Sequence, residues 1–266
     1  MTIPVRRPGL PALLAAVLLA GLLLTVTAPR TEAAISSTER ALISWMNADR
    51  AALGLRPRRE WSTLSYLAGL RAYRMASANV LSHTVGGSLG RQLAYKGVRA
   101  WRYGEDIGYS SYPRGIEAAR HIYRMWKASP IHWAQMMSRS FNYVGSGLAY
   151  RSSNGRTFAS LVFTESPDHT GVLSRITGAS RTGDDVRWTW RGWDVALQTH
   201  TAGLANFDVQ YRVDRGTWRT ARYKSTATTL TLANRAGGHA YGVRVRGRDR
   251  AGNLGPWTPE TRIWVP

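Results

Sequence analysis

Apolar residues recur along this chain with two different periods, and the change falls near Pro167. Before it the spacing is helical. Ser36 and Glu39 stand at capping-box spacing, and Leu42, Trp45, Met46 and Leu53 follow at helical intervals until Gly54, which predicts an amphipathic helix. A second helix begins near Ser62 and carries Leu64, Leu67, Ala68, Arg71 and Met75 on related faces, leaving His83 just beyond its end. A third runs from about Gly115 through Ala118, Ala119, Ile122 and Trp126. Ser129, as N-cap, and Pro130 open a fourth with His132 in its first turn, because a first-turn N–H has no helical partner to lose. Trp126, Trp133, Met136 and Met137 read as core at this spacing rather than as the wall of a ligand groove. Two strands, 143–150 and 157–165, flank Asn154-Gly155, a pair suited to a two-residue hairpin turn. Helices followed by a hairpin predict a layered α+β domain.

Beyond Pro167 the period is two. Val186, Trp188 and Trp190 alternate with polar partners, as do Phe207, Val209, Tyr211 and Val213, then Leu230 and Leu232, then Tyr241, Val243 and Val245. Turn residues fall between them at 214–216, Gly237-Gly238 and Gly252-Asn253, with a last strand near 262–265. Six or seven short strands in this span predict a β-sandwich. The expected division is therefore residues 1–34, 35–169 and 172–266.

The first segment has the order of a secretory signal. Arg6 and Arg7 precede an uncharged run from Leu10 to Val26, then small residues at Thr31, Ala33 and Ala34, with cleavage expected after Ala33. The alternative is an uncleaved anchor, the one membrane contact foreseen; both place the rest outside the cytoplasm, secreted or in the cell envelope. The chain has no cysteine, which excludes disulfides, thiolate metal sites, a cysteine nucleophile and a lipidated cysteine. Its net charge is +20, spread as 18 basic against 8 acidic residues over 35–169 and 15 against 7 over 170–266. Such a field attracts polyanions without choosing among them, so an acidic envelope polymer or a lipid is a candidate partner. No DNA- or RNA-binding module is recognisable, so no specific nucleic acid is expected. Arg244, Arg246 and Arg248 stand on one face of one strand, read as the solvated face of an antiparallel sheet in preference to an anion-binding stripe.

Five segments, "LISWMNADRAALGL", "LSHT", "YGEDIGY", "WKASPIHW" and "FNYVGSGLAY", occur in the order seen in bacterial CAP domains of the SCP/PR1-like kind, and residues 38–165 resemble that family. The resemblance implies an α-β-α sandwich with a central cleft lined by His83, Glu105, Ser129 and His132. Ser129 stands where many eukaryotic members have a glutamate, and Asp106 replaces the usual asparagine after Glu105. Segments "VRWTWRG", "FDVQYRVDRGTW" and "GGHAYGVRVRGRDRAGNLGPW" resemble fibronectin type III modules, an all-β immunoglobulin-like sandwich, with Tyr241 at the tyrosine-corner position and Trp190 as the core tryptophan.

Two imidazoles and a carboxylate suit zinc or another divalent cation, and three protein ligands leave a position open for water or substrate. His83, His132 and Glu105 are thus the candidate metal ligands, and Glu105 the one candidate catalytic group. The preferred reading is a non-catalytic extracellular binding or effector protein whose His/Glu cleft holds a divalent metal, a lipid or an envelope fragment. The alternative is a metal-dependent extracellular hydrolase using the same cleft.

Overall fold

In this computed structural model the chain is described over residues 35–111 and 114–266, and the expected signal or anchor lies outside the described residues. The predicted capping box is formed: Ser36 Oγ accepts from Glu39 N at 3.2 Å and Glu39 Oε2 from Ser36 N at 2.8 Å, opening α1 (Ser37–Ala52). The short strand β1 (Arg59–Glu60) leads to α2 (Ser62–Ala78), which Asn79 ends in the left-handed conformation at φ +53°. Then follow α3 (Leu89–Tyr95), β2 (Arg102–Ser110), α4 (Ile116–Ala128), α5 (Pro130–Met137), β3 (Tyr143–Arg151) and β4 (Arg156–Glu165). No described helix is long and apolar enough to cross a membrane.

The strands form one sheet in the order β1-β3-β4-β2, with β1 parallel to β3 and the other pairs antiparallel. Side chains alternate across it. Ala159, Leu161 and Phe163 of β4 pack with Leu42 and Met46 of α1, Ile122 and Trp126 of α4 and Met136 of α5. On the other face Val162 and Tyr143 pack with Leu64, Leu67 and Ala68 of α2. This is the expected α-β-α sandwich. The two faces are covered at different depths, because Gly145 and Gly147 of β3 lie directly under α2. A Cβ at Gly145 would collide with the backbone of Leu64 and Ser65, and one at Gly147 with that of Ala68 and Gly69.

Three of these elements were not expected, β1, α3 and β2. The hairpin also differs: Arg151 pairs with Arg156, so the loop has four residues with only Gly155 at positive φ, where a two-residue turn was anticipated.

Residues beyond the CAP-like layers fold into seven antiparallel strands, β5 (Leu173–Thr182), β6 (Asp185–Trp193), β7 (Leu204–Val213), β8 (Arg219–Ser225), β9 (Thr229–Leu232), β10 (His239–Asp249) and β11 (Thr261–Val265). They make sheets β11-β10-β7-β8 and β5-β6-β9. One core joins both sheets, with Val186, Trp188, Trp190 and Leu230 from the smaller and Phe207, Val209, Val243 and Val245 from the larger. Tyr241 Oη donates to Ala236 O at 3.1 Å, the bond expected of a tyrosine corner.

The described residues form one compact unit. The segment between β6 and β7 inserts Leu197, 1 % exposed, into the α2 core. Around it Arg50 Nη2 donates to Gln198 Oε1 at 2.9 Å, Arg56 Nη1 to Leu197 O at 2.9 Å and Asn142 Nδ2 to Thr199 O at 3.2 Å.

Candidate functional site

Glu105 lies on β2, the edge strand, and its side chain turns toward α2 rather than into open space. Arg71, on the buried face of α2, grips it: Nε donates to Oε1 at 2.5 Å and Nη2 to Oε2 at 2.7 Å. Ser160 Oγ also donates to Oε1 at 2.8 Å, and His83 Nδ1 lies 2.9 Å from Oε2. Both side chains of the ion pair are almost wholly buried, 2 % and 4 % exposed. A buried carboxylate must be paired, and three residues make four contacts to the two oxygens of this one. It is therefore an ion-pair member and a positioner of His83, whose ring is more than half exposed.

His132 stands in the first turn of α5, as the sequence predicts, and burial pushes its pKa below the ordinary value, with the charge of His83 adding to the effect. Its Nδ1 is buried without a hydrogen-bond partner. Ser129 occupies the N-cap position of α5, yet its side chain makes no capping bond and faces a cavity instead. Asp106 does not restore the missing carboxylate. It points to the opposite face of β2 from Glu105, 1 % exposed, and accepts from Gln135 Nε2 at 2.8 Å. Burial pushes this carboxyl up to about 8, against the opposing pull of Arg58.

The cavity holds about 460 Å³ between β2 and the α4–α5 corner. Leu81, Ile107, Tyr109, Met125 and Trp126 supply apolar wall, and Ser129 and His132 polar wall. Ser110 and His121 add a second polar pair, with Oγ to Nδ1 at 2.9 Å. Trp126, expected in the core, reaches both: it is 1 % exposed, its Nε1 donates to Ile107 O at 2.9 Å, and its ring lines the cavity. Sequence reasoning missed His121 and Ser110. The signal was present for His121, which shares the α4 face of Met125 one turn on, whereas Ser110 enters only through the unforeseen strand.

The residues present do not fit a zinc held by His83, Glu105 and His132. With Glu105 committed to Arg71, two imidazoles remain, one short of the three protein ligands of a catalytic zinc. Nor do the three bring ligand atoms within 4.8 Å of one another. Among the described residues only Asp168, Asp194 and Asp249 do, at the junction of the two folds. This trio can hold a metal ion, and its all-oxygen donors suit a hard cation. Asp168 and Asp249 are buried, and burial, with both neighbours' charges, raises the pKa of Asp194.

On the sandwich, the arginine stripe is partly neutralised. Arg246 and Arg248 both pair with Asp208, while the Arg244 guanidinium lies 4.3 Å from the Trp218 ring and 4.7 Å from that of Trp257.

An α-β-α sandwich with a cavity beside an edge strand is the architecture that the resemblance implies for residues 38–165. Residues 43–164 match the CAP family, the cysteine-rich secretory protein family, and this part of the chain is a CAP domain. Joined to it is a sandwich of fibronectin type III kind. Among solved structures, the chain is similar to an extracellular SCP-domain protein from Bacillus anthracis, at 19 % identity and TM-score 0.42, over 48 % of this chain and 40 % of that one. It is similar to an outer surface protein from Borrelia burgdorferi at 20 % identity and TM-score 0.42, over 50 % and 96 %. Its likeness to an Fn3-like protein from Clostridium thermocellum is 18 % identity and TM-score 0.26, over 36 % and 96 %. The chain thus spans well under half of the Bacillus protein. No curated protein matches it.

Proposed function

We propose that this is an extracellular binding protein whose CAP cavity takes an amphiphilic, largely apolar ligand without turning it over, the sandwich serving as a fused spacer or adhesive module. The extracellular setting rests on the charged-apolar-small order of residues 1–34 and on the secretory family of the CAP domain. The observation that carries the non-catalytic reading is the double engagement of Glu105 by Arg71. A carboxylate clamped in a buried guanidinium fork is a poor general base, because accepting a proton would leave Arg71 buried without its counter-charge. The hydrolase alternative loses its one candidate catalytic group by the same argument. What the cleft retains is shape and apolar wall with a few polar groups, the usual make-up of a small-molecule site.

The test is titration of the signal-free protein with a fluorescent fatty acid, beside Met125→Trp, which fills the cavity from a partly exposed position. Saturable one-site binding, weakened about tenfold or more in the variant, is expected. Absence of binding, or equal binding by both proteins, would sink the reading.

A further inference from the structure

A second concave surface lies outside the cleft, between α2 and the segment carrying α3. It is a groove of about 610 Å³, larger than the cleft cavity, with Tyr66, Leu67, Leu70 and Arg74 on one side and Arg91, Tyr95 and Lys96 on the other. Its charge is uncompensated at two levels. In the sequence, no acidic residue occurs between Glu60 and Glu105, a stretch holding six basic ones. In the structure, Arg71 and Arg102 of those six pair with Glu105 and Glu165, but among the described residues no carboxylate pairs with Arg74, Arg91 or Lys96. No acidic residue lines the groove. Three cations converging on a concavity with no counter-charge of their own favour an anionic occupant.

The aromatic groups narrow the chemistry. Tyr95 is 88 % exposed, an unusual state for a ring on a folded surface. Tyr66 is 42 % exposed, but one of its faces is taken by Lys96, whose Nζ lies 4.0 Å from the ring centroid. One free aromatic face therefore adjoins an apolar floor of Leu67 and Leu70. Single-stranded nucleic acid uses a succession of stacking platforms along a basic track. A single free ring with a patch of cations suits one ring that has an apolar C–H face and bears a negative group. The loop wall is held firmly: Arg74 Nη1 donates to Gly86 O at 2.9 Å, and Gln92 Nε2 to Gly86 O at 3.0 Å and Gly87 O at 3.1 Å. The groove is thus built before any ligand arrives.

We infer that this groove binds an acidic saccharide, the pyranose face stacked on Tyr95 and its carboxylate held by Arg91 and Lys96. The site is independent of the cleft, so the fatty-acid test and this one can fail separately. Exposure of Arg91, Tyr95 and Lys96 makes substitutions there safe for the fold.

The experiment is calorimetric titration of the signal-free protein with trigalacturonate at about 150 mM salt, where long-range attraction is largely screened. Maltotriose serves as the neutral counterpart and a thymidine oligonucleotide as the anionic non-saccharide. Three proteins are compared: the unmodified chain, Arg91→Gln/Lys96→Gln with Tyr95→Ala, and Arg187→Gln/Arg191→Gln on the sandwich as a charge-matched control. Binding of trigalacturonate but not maltotriose, weakened about tenfold or more in the groove variant and unchanged in the control, is expected. No binding of trigalacturonate, or equal loss in both variants, would overturn the proposal, the latter by assigning the attraction to net charge. Tighter binding of the oligonucleotide, lost in the groove variant, would give the groove to nucleic acid and overturn it too.

Discussion

Glu105 and Asp106 are adjacent on one strand, yet the pleat sends them to opposite faces and opposite fates. Glu105 meets the guanidinium of Arg71, which takes both of its oxygens. Asp106 meets only Gln135, leaves Oδ2 buried without a partner, and is pushed up to about 8 by burial. A carboxyl whose folded pKa lies above its unfolded value binds its proton more tightly when folded. Its contribution is complete below about pH 4, and is lost as pH rises through the folded pKa. Stability is therefore expected to fall between about pH 4 and pH 8, with a slope from this group of up to ~1.4 kcal/mol per pH unit. Asp106→Asn removes that contribution, so urea denaturation across this range should show a shallower slope and a more stable protein at the alkaline end. An unchanged slope would mean that Asp106 is ionised in the folded state.

At the scale of elements, the close seating of α2 on β3 depends on two glycines. Gly147→Val is expected to cost about 3 kcal/mol or more, because the colliding atoms are helix backbone and cannot swing aside. Gly69→Ala, on the facing helix with nothing within 4 Å, should be neutral or stabilising by up to about 1 kcal/mol. Denaturant midpoints of the two variants test the pair, and similar values for both would contradict this packing.

The same elements show how far the sequence could be read. The helices α1, α2 and α4 were legible because each buries one stripe, α5 because Ser129 and Pro130 mark its start, and strands such as β6 because they bury alternate residues. Strand β2 was not, because it is covered on both faces by unusual means. Gly104 and Gly108 admit Gln135 and Trp126 on one face, while Arg71 neutralises Glu105 on the other. Two glycines and two adjacent acids read as a loop when their partners are unknown. Seven residues make α3 too short to display a period. His83, Glu105, Ser129 and His132 could be placed at the cleft region only through family resemblance. That Arg71 would claim Glu105 had no local signal, since 34 positions separate them.

Over the described residues the molecule is a CAP domain and a β-sandwich fused through a buried Leu197 and a junction trio of aspartates that can hold a metal ion. Its concave features differ in chemistry. The cleft beside β2 is largely apolar, the α2–α3 groove is basic, and the junction is acidic. In this account the cleft is a binding cavity with no carboxylate in its wall, and the neighbouring Glu105 is locked in an ion pair. Zinc calorimetry at neutral pH, comparing the signal-free protein with His83→Ala/His132→Ala, tests that claim most directly. The account predicts that the two proteins titrate alike, any cation bound at the aspartate trio appearing equally in both. One-site binding of micromolar or tighter affinity in the unmodified chain, absent from the variant, would contradict it and return the cleft to metal chemistry.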